Sequence, residues 1–246
     1  MRLSAIIHQF FDTYLPHIKG VSPNSIKAYR DTFKLFLPFA ADRYGIKVGS
    51  LSLHHLSPEL ILSFLDYLES DRKNSARTRN HRLAAIKSLA KMIRFTHPQW
   101  STSMEKIVMI PQKRTQRQLV GFLYPEEIHQ VLNAVNINTS VGFRDYTILH
   151  LLFESGARAS EMARLNLDYF NPEQGSLAIL GKGNRFRQVD LSATTVKMIK
   201  AYVVNHRRRP KPAFAKRLFI SQHGKSLTRH GIYRLCRKYL RLALSE

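Results

Sequence analysis

The 246-residue chain carries 39 lysines and arginines against 17 aspartates and glutamates, a formal net charge of +22. That excess goes beyond what solubility asks and points to a polyanionic partner; a merely basic protein is the plainer alternative. The basic residues are spread over the whole length among ordinary apolar content, with no apolar run long enough to span a bilayer, which favours nucleic acid over a membrane. The single cysteine, Cys236, excludes a disulfide framework within the chain, and Met1-Arg2-Leu3-Ser4-Ala5 lacks the layout of a secretory signal, so the cytosol is the expected compartment.

From Leu3 to about Phe95, apolar residues recur at helical spacing, first Ile6, Ile7, Phe10, Phe11 and Tyr14, then Ile26, Tyr29, Phe33, Phe36 and Leu37. The spacing predicts a small helical bundle. Ser22-Pro23-Asn24 and Ser57-Pro58-Glu59 each join a capping side chain to an early-helix proline, the second opening a helix over 59–68. A further helix is predicted over 75–95. Its stripe of Leu83, Ile86, Leu89, Ala90 and Ile93 faces a core, while Arg77, Arg79, Arg82 and Lys87 sit elsewhere and can face a ligand.

The stretch 98–120 has little periodicity and holds Pro111-Gln112-Lys113-Arg114 and Arg117. It reads as an extended basic linker, lying on a polyanion or simply solvated. The expected division is a helical domain over 1–108, a linker over 109–120 and a second domain over 121–246.

The second half opens with an amphipathic segment from Tyr124 to Val135, then a more buried helix over 144–153 and a short helix after Arg158. Ser176 to Leu180 and Phe186 to Leu191 read as strands, and Gly181-Lys182-Gly183-Asn184 between them is turn chemistry, so a β-hairpin is predicted. Helices follow over 194–204 and from Leu227-Thr228-Arg229 to Leu242, separated by the loop Arg207-Arg208-Arg209-Pro210-Lys211-Pro212.

Two cations stand out. Arg158 follows a glycine at a helix-to-helix junction, with Glu161 one turn on, where a carboxylate can orient a guanidinium whose planar fork suits two phosphate oxygens. Lys182 at the hairpin tip can deliver a proton to a leaving oxygen. Taken alone, the first is more often a surface salt bridge and the second a solvent contact. Their order changes the odds. Arg144-Asp145-Tyr146-Thr147-Ile148-Leu149, then Ser155-Gly156-Ala157-Arg158-Ala159-Ser160-Glu161-Met162 with Leu165, then Gly181-Lys182-Gly183-Asn184-Arg185 with Arg187-Gln188-Val189, closely resembles the catalytic domain of the tyrosine recombinase, or phage integrase, family. Ser22-Pro23-Asn24-Ser25-Ile26-Lys27-Ala28-Tyr29-Arg30 and Thr78-Arg79-Asn80-His81-Arg82-Leu83-Ala84-Ala85-Ile86 look like that family's core-binding domain.

The resemblance implies a mainly α fold with a small β-hairpin or sheet: an N-terminal helical, SAM-like core-binding domain and a partial integrase-type α+β catalytic domain. It implies a clamp around double-stranded DNA, attack of a tyrosine on a phosphodiester to leave a 3′-phosphotyrosine and a free 5′-hydroxyl, and strand exchange by the reverse step, without metal or other cofactor. Under it Arg158 is the first of two arginines that neutralise the pentacoordinate phosphate, Lys182 the general acid and Glu161 the carboxylate holding the arginine. Expected DNA contacts are Lys27, Arg30, Arg77, Arg79, Arg82 and Lys87, then Lys113, Arg114, Arg117, Arg185 and Arg187, with Thr228 as an N-cap presenting Arg229. Other recombinase protomers on the DNA are further expected partners, a membrane is not, and a nucleoid-associated place in the cytoplasm follows.

The family's later His-x-x-Arg, His or Trp, and nucleophilic Tyr are expected after the helix ending at Leu242, beyond Glu246. His206 to Arg209 lies in a proline-limited loop too early in the order, and Tyr233 and Tyr239 fall on a helix upstream of the motif. The chain is thus expected to bind DNA without cleaving it alone, as a monomer off DNA. It is either a truncated integrase or transposase-type recombinase of a mobile element, or a DNA-binding protein that regulates or competes with an intact recombinase. A helix-turn-helix transcription regulator would account for the charge but not for the Gly-Lys-Gly hairpin after Gly-Ala-Arg.

Overall fold

The computed structural model describes residues 1–116, 121–181 and 183–244. The chain divides into two compact units, Met1–Leu119 and Val120–Glu246. Together they are mostly helical with one small antiparallel sheet, the fold class expected. Among the described residues no helix is long and apolar enough to cross a membrane.

In the first unit, α1 (Leu3–Gln9) runs on as a wider π-helical coil over Phe10–Ile18, where Pro16 has no N–H to give the ordinary helical ladder. α2 (Pro23–Arg43) and α3 (Pro58–Ser70) begin at the two Ser-Pro pairs. The Ser22 and Ser57 hydroxyls accept the N–H groups of Ser25 and Leu60. Ser75 caps α4 (Ala76–Thr96) in the same way. The bundle closes on buried aromatic rings, with Phe36 and Phe64 meeting edge to face at 5.2 Å and Phe10 and Phe33 at 6.0 Å.

The structure corrects the reading of 98–120 as linker throughout. A single 3₁₀ turn at Pro98–Trp100 leads into α5 (Ser101–Met109), which packs on α4. Met104, Ile107 and Ile110 supply a buried stripe at i, i+3 and i+6. Three positions in so short a stretch make too brief a pattern to register as a helix, yet they are enough once α4 offers a surface. Irregular chain begins at Ile110.

The second unit comprises α6 (Pro125–Asn133), α7 (Ser140–Ser155), α8 (Ala159–Met162), α9 (Ala193–Ala201), which continues as a π-helical turn to His206, and α10 (Arg229–Leu244). α7 starts four residues ahead of the expected position because Thr139 caps it, accepting the Gly142 N–H at 3.0 Å. Only glycine fits there, since a Cβ would stand 1.8 Å from the Asn136 carbonyl oxygen. The sheet holds β1 (Phe170–Asn171), β2 (Ser176–Leu180) and β3 (Phe186–Asp190) in that spatial order, all antiparallel. β2 and β3 are the expected hairpin; β1, two residues long, has no period to read. Leu177 and Ile179 of β2 join Ile148, Leu151, Ile199, Tyr202 and Ile232 in a second core.

α10 is tied to α7 by a buried polar contact. The Tyr239 hydroxyl donates to Asp145 Oδ2 at 3.2 Å, and Asp145 Oδ1 accepts from Arg144 Nε and Nη2 at 2.9 and 2.6 Å. Burial, and then the Asp145 charge, push the Tyr239 phenol above its ordinary range.

Phe64 is fully enclosed, so Phe64→Ala is expected to lower the unfolding free energy of the first unit by about 3–5 kcal/mol in urea melts. A loss below about 1 kcal/mol would mean that the aromatic cluster does not carry this core.

Candidate active site

α7 ends at Gly156, whose φ of +58° takes the left-handed conformation and whose N–H closes on the Leu152 carbonyl at 3.1 Å. The chain then extends through Arg158, φ −71° and ψ 152°, which opens α8. Glu161, three residues on, turns back onto Arg158. Its Oε2 accepts the Arg158 backbone N–H at 3.0 Å and its Oε1 accepts Nη1 of the Arg158 guanidinium at 2.8 Å. Arg187 of β3 adds a third donor, Nη2 to Oε2 at 2.9 Å.

Glu161 is 5% exposed. Burial alone would disfavour its charge, but the hydrogen bonds from Arg187 and Arg158 outweigh it and bring the carboxyl pKa down to about 2. The carboxylate is therefore ionised across the working pH range. The Arg158 side chain, by contrast, is 70% exposed. One edge of its guanidinium is fixed on Glu161 and the remaining N–H groups are presented outward, the arrangement that suits an oxyanion arriving from solvent.

The hairpin root lies against this pair. The Gly181 N–H donates to the Arg185 carbonyl at 2.8 Å, and Gly183 and Asn184 carry the turn at φ +77° and +59°. A Cβ on Gly181 would stand 3.6 Å from Glu161 Oε1 and 3.7 Å from Arg187 Nη1. The structure thus brings together Arg158, Glu161, Arg187 and Gly181. Lys182 and Arg117 lie outside the described residues.

Several cations expected on DNA are engaged within the protein. Arg187 serves Glu161; strand alternation places it with Val189 on the less exposed face of β3, a signal present in the sequence. Arg79 is buried, its Nε 3.4 Å from Glu69 and its Nη1 on Asn80, because its position on α4 turns toward α3. Lys113 reaches both Glu69 oxygens at 3.0 and 3.1 Å. Arg82 and Lys87 are partly buried, and desolvation lowers the pKa of both. Arg30 lies over the Phe11 ring and 3.8 Å from Asp12. Lys27, Arg77, Arg114, Arg185 and Arg229 are exposed. Thr228 caps α10, its Oγ1 accepting the Gly231 N–H at 3.0 Å, which sets Arg229 at the helix start.

The basic loop after α9 is structural. His206 stacks on Phe143 with ring centroids 4.1 Å apart, and the Arg207 guanidinium donates to the Ala215, Arg217 and Leu218 carbonyls. Tyr239 is buried on Asp145, whereas Tyr233 is 58% exposed. Burial raises the Cys236 thiol pKa, which disfavours the reactive thiolate.

The arrangement matches known families. The phage integrase family matches residues 121–246, and the phage integrase N-terminal SAM-like domain matches residues 7–94. The chain is 32% identical over 242 residues to the integrase/recombinase y4rC of Sinorhizobium fredii, covering 98% of this chain and 72% of that protein. It is 28% identical over 222 residues to tyrosine recombinase XerD of Staphylococcus haemolyticus, covering 90% of this chain and 72% of that one. Its fold is similar to that of a lambda integrase dimer bound to a COC' core site, with a TM-score of 0.67 at 12% identity over 99% of this chain and 82% of the other. The chain belongs to the phage integrase family of site-specific tyrosine recombinases.

The folded pKa of Glu161 lies below its ordinary value of 4.5, so its contribution to stability is complete above that pH and is lost as pH falls toward 2. Glu161→Gln is expected to cost on the order of 2 kcal/mol at neutral pH, with the gap to the parent closing as acid is added. Urea melts across the pH range check this, and a gap independent of pH would contradict an ionised Glu161.

Proposed function

We propose that this chain binds duplex DNA through its exposed cations and holds, at Arg158, part of the phosphate-binding apparatus of an integrase-type recombinase of a mobile element. The observation that carries the reading is the exposed Arg158 guanidinium, oriented by a buried carboxylate that stays ionised. In strand cleavage Arg158 would offset charge building on the phosphorane, and Lys182, next to Gly181 at the hairpin root, would protonate the leaving 5′-oxygen. Glu161, held in turn by Arg187, positions Arg158 without touching DNA. Phosphate contacts are assigned to Lys27, Arg77, Arg114, Arg185 and Arg229, with Arg30, Arg82 and Lys87 at the margins. The helical domain over 1–108 supplies Lys27 and Arg77, the linker over 109–120 supplies Arg114, and the domain over 121–246 supplies Arg185 and Arg229. The lambda integrase dimer on its core site supports DNA and further protomers as partners, and a nucleoid-associated place in the cytoplasm agrees with that role.

A second reading is a DNA-binding protein that lacks cleavage and regulates or competes with an intact recombinase. It is favoured by the state of Tyr239, whose hydroxyl is committed to Asp145 and whose phenol resists ionisation.

The chain is expected to bind duplex with a log affinity that falls against log salt at a slope of about −4 or steeper, given roughly five phosphate contacts. Arg158→Ala should weaken binding by less than about tenfold and leave the fold intact, since one exposed phosphate contact is lost. Salt-independent binding, or unfolding of that variant, would sink the reading. A nicked suicide duplex separates the two functions. Absence of a covalent adduct beside salt-sensitive binding favours the second, while an adduct abolished by Tyr233→Phe would overturn it and make Tyr233 the nucleophile.

A further inference from the structure

We propose that Asn80 is a positioning residue that lays the segment 111–116 against the basic stripe of α4, so that helix and segment meet DNA as one preformed surface. This rests on the duplex-binding reading. Asn80 is neutral yet sits within the run Arg77 to Arg82. Its side-chain amide pairs with both main-chain groups of a single residue 33 positions away: Nδ2 donates to the Lys113 carbonyl at 2.7 Å, and the Lys113 N–H donates to Oδ1 at 3.0 Å. An asparagine side chain can do this because it ends in a donor and an acceptor side by side, the same pair that a neighbouring strand would offer.

Lys113 is held a second time through its side chain. Its Nζ lies on both Glu69 oxygens of α3, and Glu69 in turn accompanies the buried Arg79. Backbone and ammonium of one residue are thus anchored to two different helices. A chain fixed at both points leaves the bundle in one direction.

That direction matters for charge. Helical spacing puts Arg77, Asn80, Ala84, Lys87 and Lys91 on a single stripe of α4. With Lys113 pinned to Asn80, the exposed Arg114 emerges beside a stripe that already carries Arg77 one turn before Asn80 and Lys87 two turns after it. A segment ordered before DNA arrives does not have to be ordered on binding, so its cations contribute more of their phosphate attraction to affinity. Asn80 and Lys113 themselves need not touch DNA for this to hold.

The experiment uses the 246-residue chain with Asn80→Ala, Arg114→Ala and the double variant, a fluorescent duplex and amide hydrogen exchange. Without DNA, exchange of the Lys113 amide should accelerate by about tenfold or more in Asn80→Ala, while Glu69→Gln, which keeps the amide pair, leaves it protected. Duplex affinity should fall by about three- to tenfold in Asn80→Ala, and Arg114→Ala should cost less in that background than in the parent. An unchanged Lys113 exchange rate would overturn the clasp, and equal Arg114→Ala penalties in the two backgrounds would overturn its positioning role. Asn80→Asp, which keeps the acceptor but not the donor, should give intermediate exchange and serves if Asn80→Ala fails to fold. If the parent shows no salt-sensitive duplex binding, the duplex-binding reading fails and this role fails with it, whereas Lys113 exchange still reports on the clasp itself.

Discussion

The buried carboxylate of Glu161 is the constraint on which the site depends. A carboxylate removed from water is costly unless its lone pairs are filled, and here three N–H groups from two arginines fill them. The requirement acts on residues 26 positions apart in sequence, since Glu161 lies on α8 and Arg187 belongs to β3. Meeting it pulls the hairpin root onto the helix junction and leaves Gly181 where a Cβ would lie in van der Waals contact with the same carboxylate. One interaction therefore fixes the attitude of the exposed arginine and brings the hairpin root at Gly181 to it.

The large positive charge is divided between two kinds of work. Arg187, Arg144 and Arg207 are drawn inward, each filling carboxylate or carbonyl acceptors that would otherwise be left bare, and Arg79 is drawn inward beside Glu69. Lys27, Arg77, Arg114, Arg185 and Arg229 stay in solvent. Composition reports the sum of both sets, and only the exposed set is available to a polyanion. Polar side chains also make the long-range ties, Tyr239 to Asp145 within the second unit and Asn80 to Lys113 within the first.

Much of this was legible before any coordinates. The Ser-Pro pairs announce helix starts because a hydroxyl cap and a fixed φ act locally, and the Gly-Ala-Arg and Gly-Lys-Gly motifs mark turns for the same reason. Arg158 and Glu161 are paired by their three-residue spacing, which the structure realises as an extended N-cap residue and the third residue of α8. The misses depend on distant partners. α5 is stabilised by the α4 surface more than by its own nine residues, and β1 exists only as an addition to β2. Arg79 and Arg187 read as ligand contacts because sequence shows the guanidinium without the distant carboxylate that pairs with it. Strand alternation held a hint for Arg187, but nothing local announced Glu69 as the partner of Arg79.

The most direct test of the account is the pKa of Glu161 itself, read from the carboxyl carbon shift in an NMR titration of the folded protein. A midpoint of about 2 is expected, with the parent still folded while the ordinary glutamates titrate. A midpoint near the ordinary 4.5 would contradict it, because the carboxylate would then not be held by the two arginines and Arg158 would have no fixed orientation.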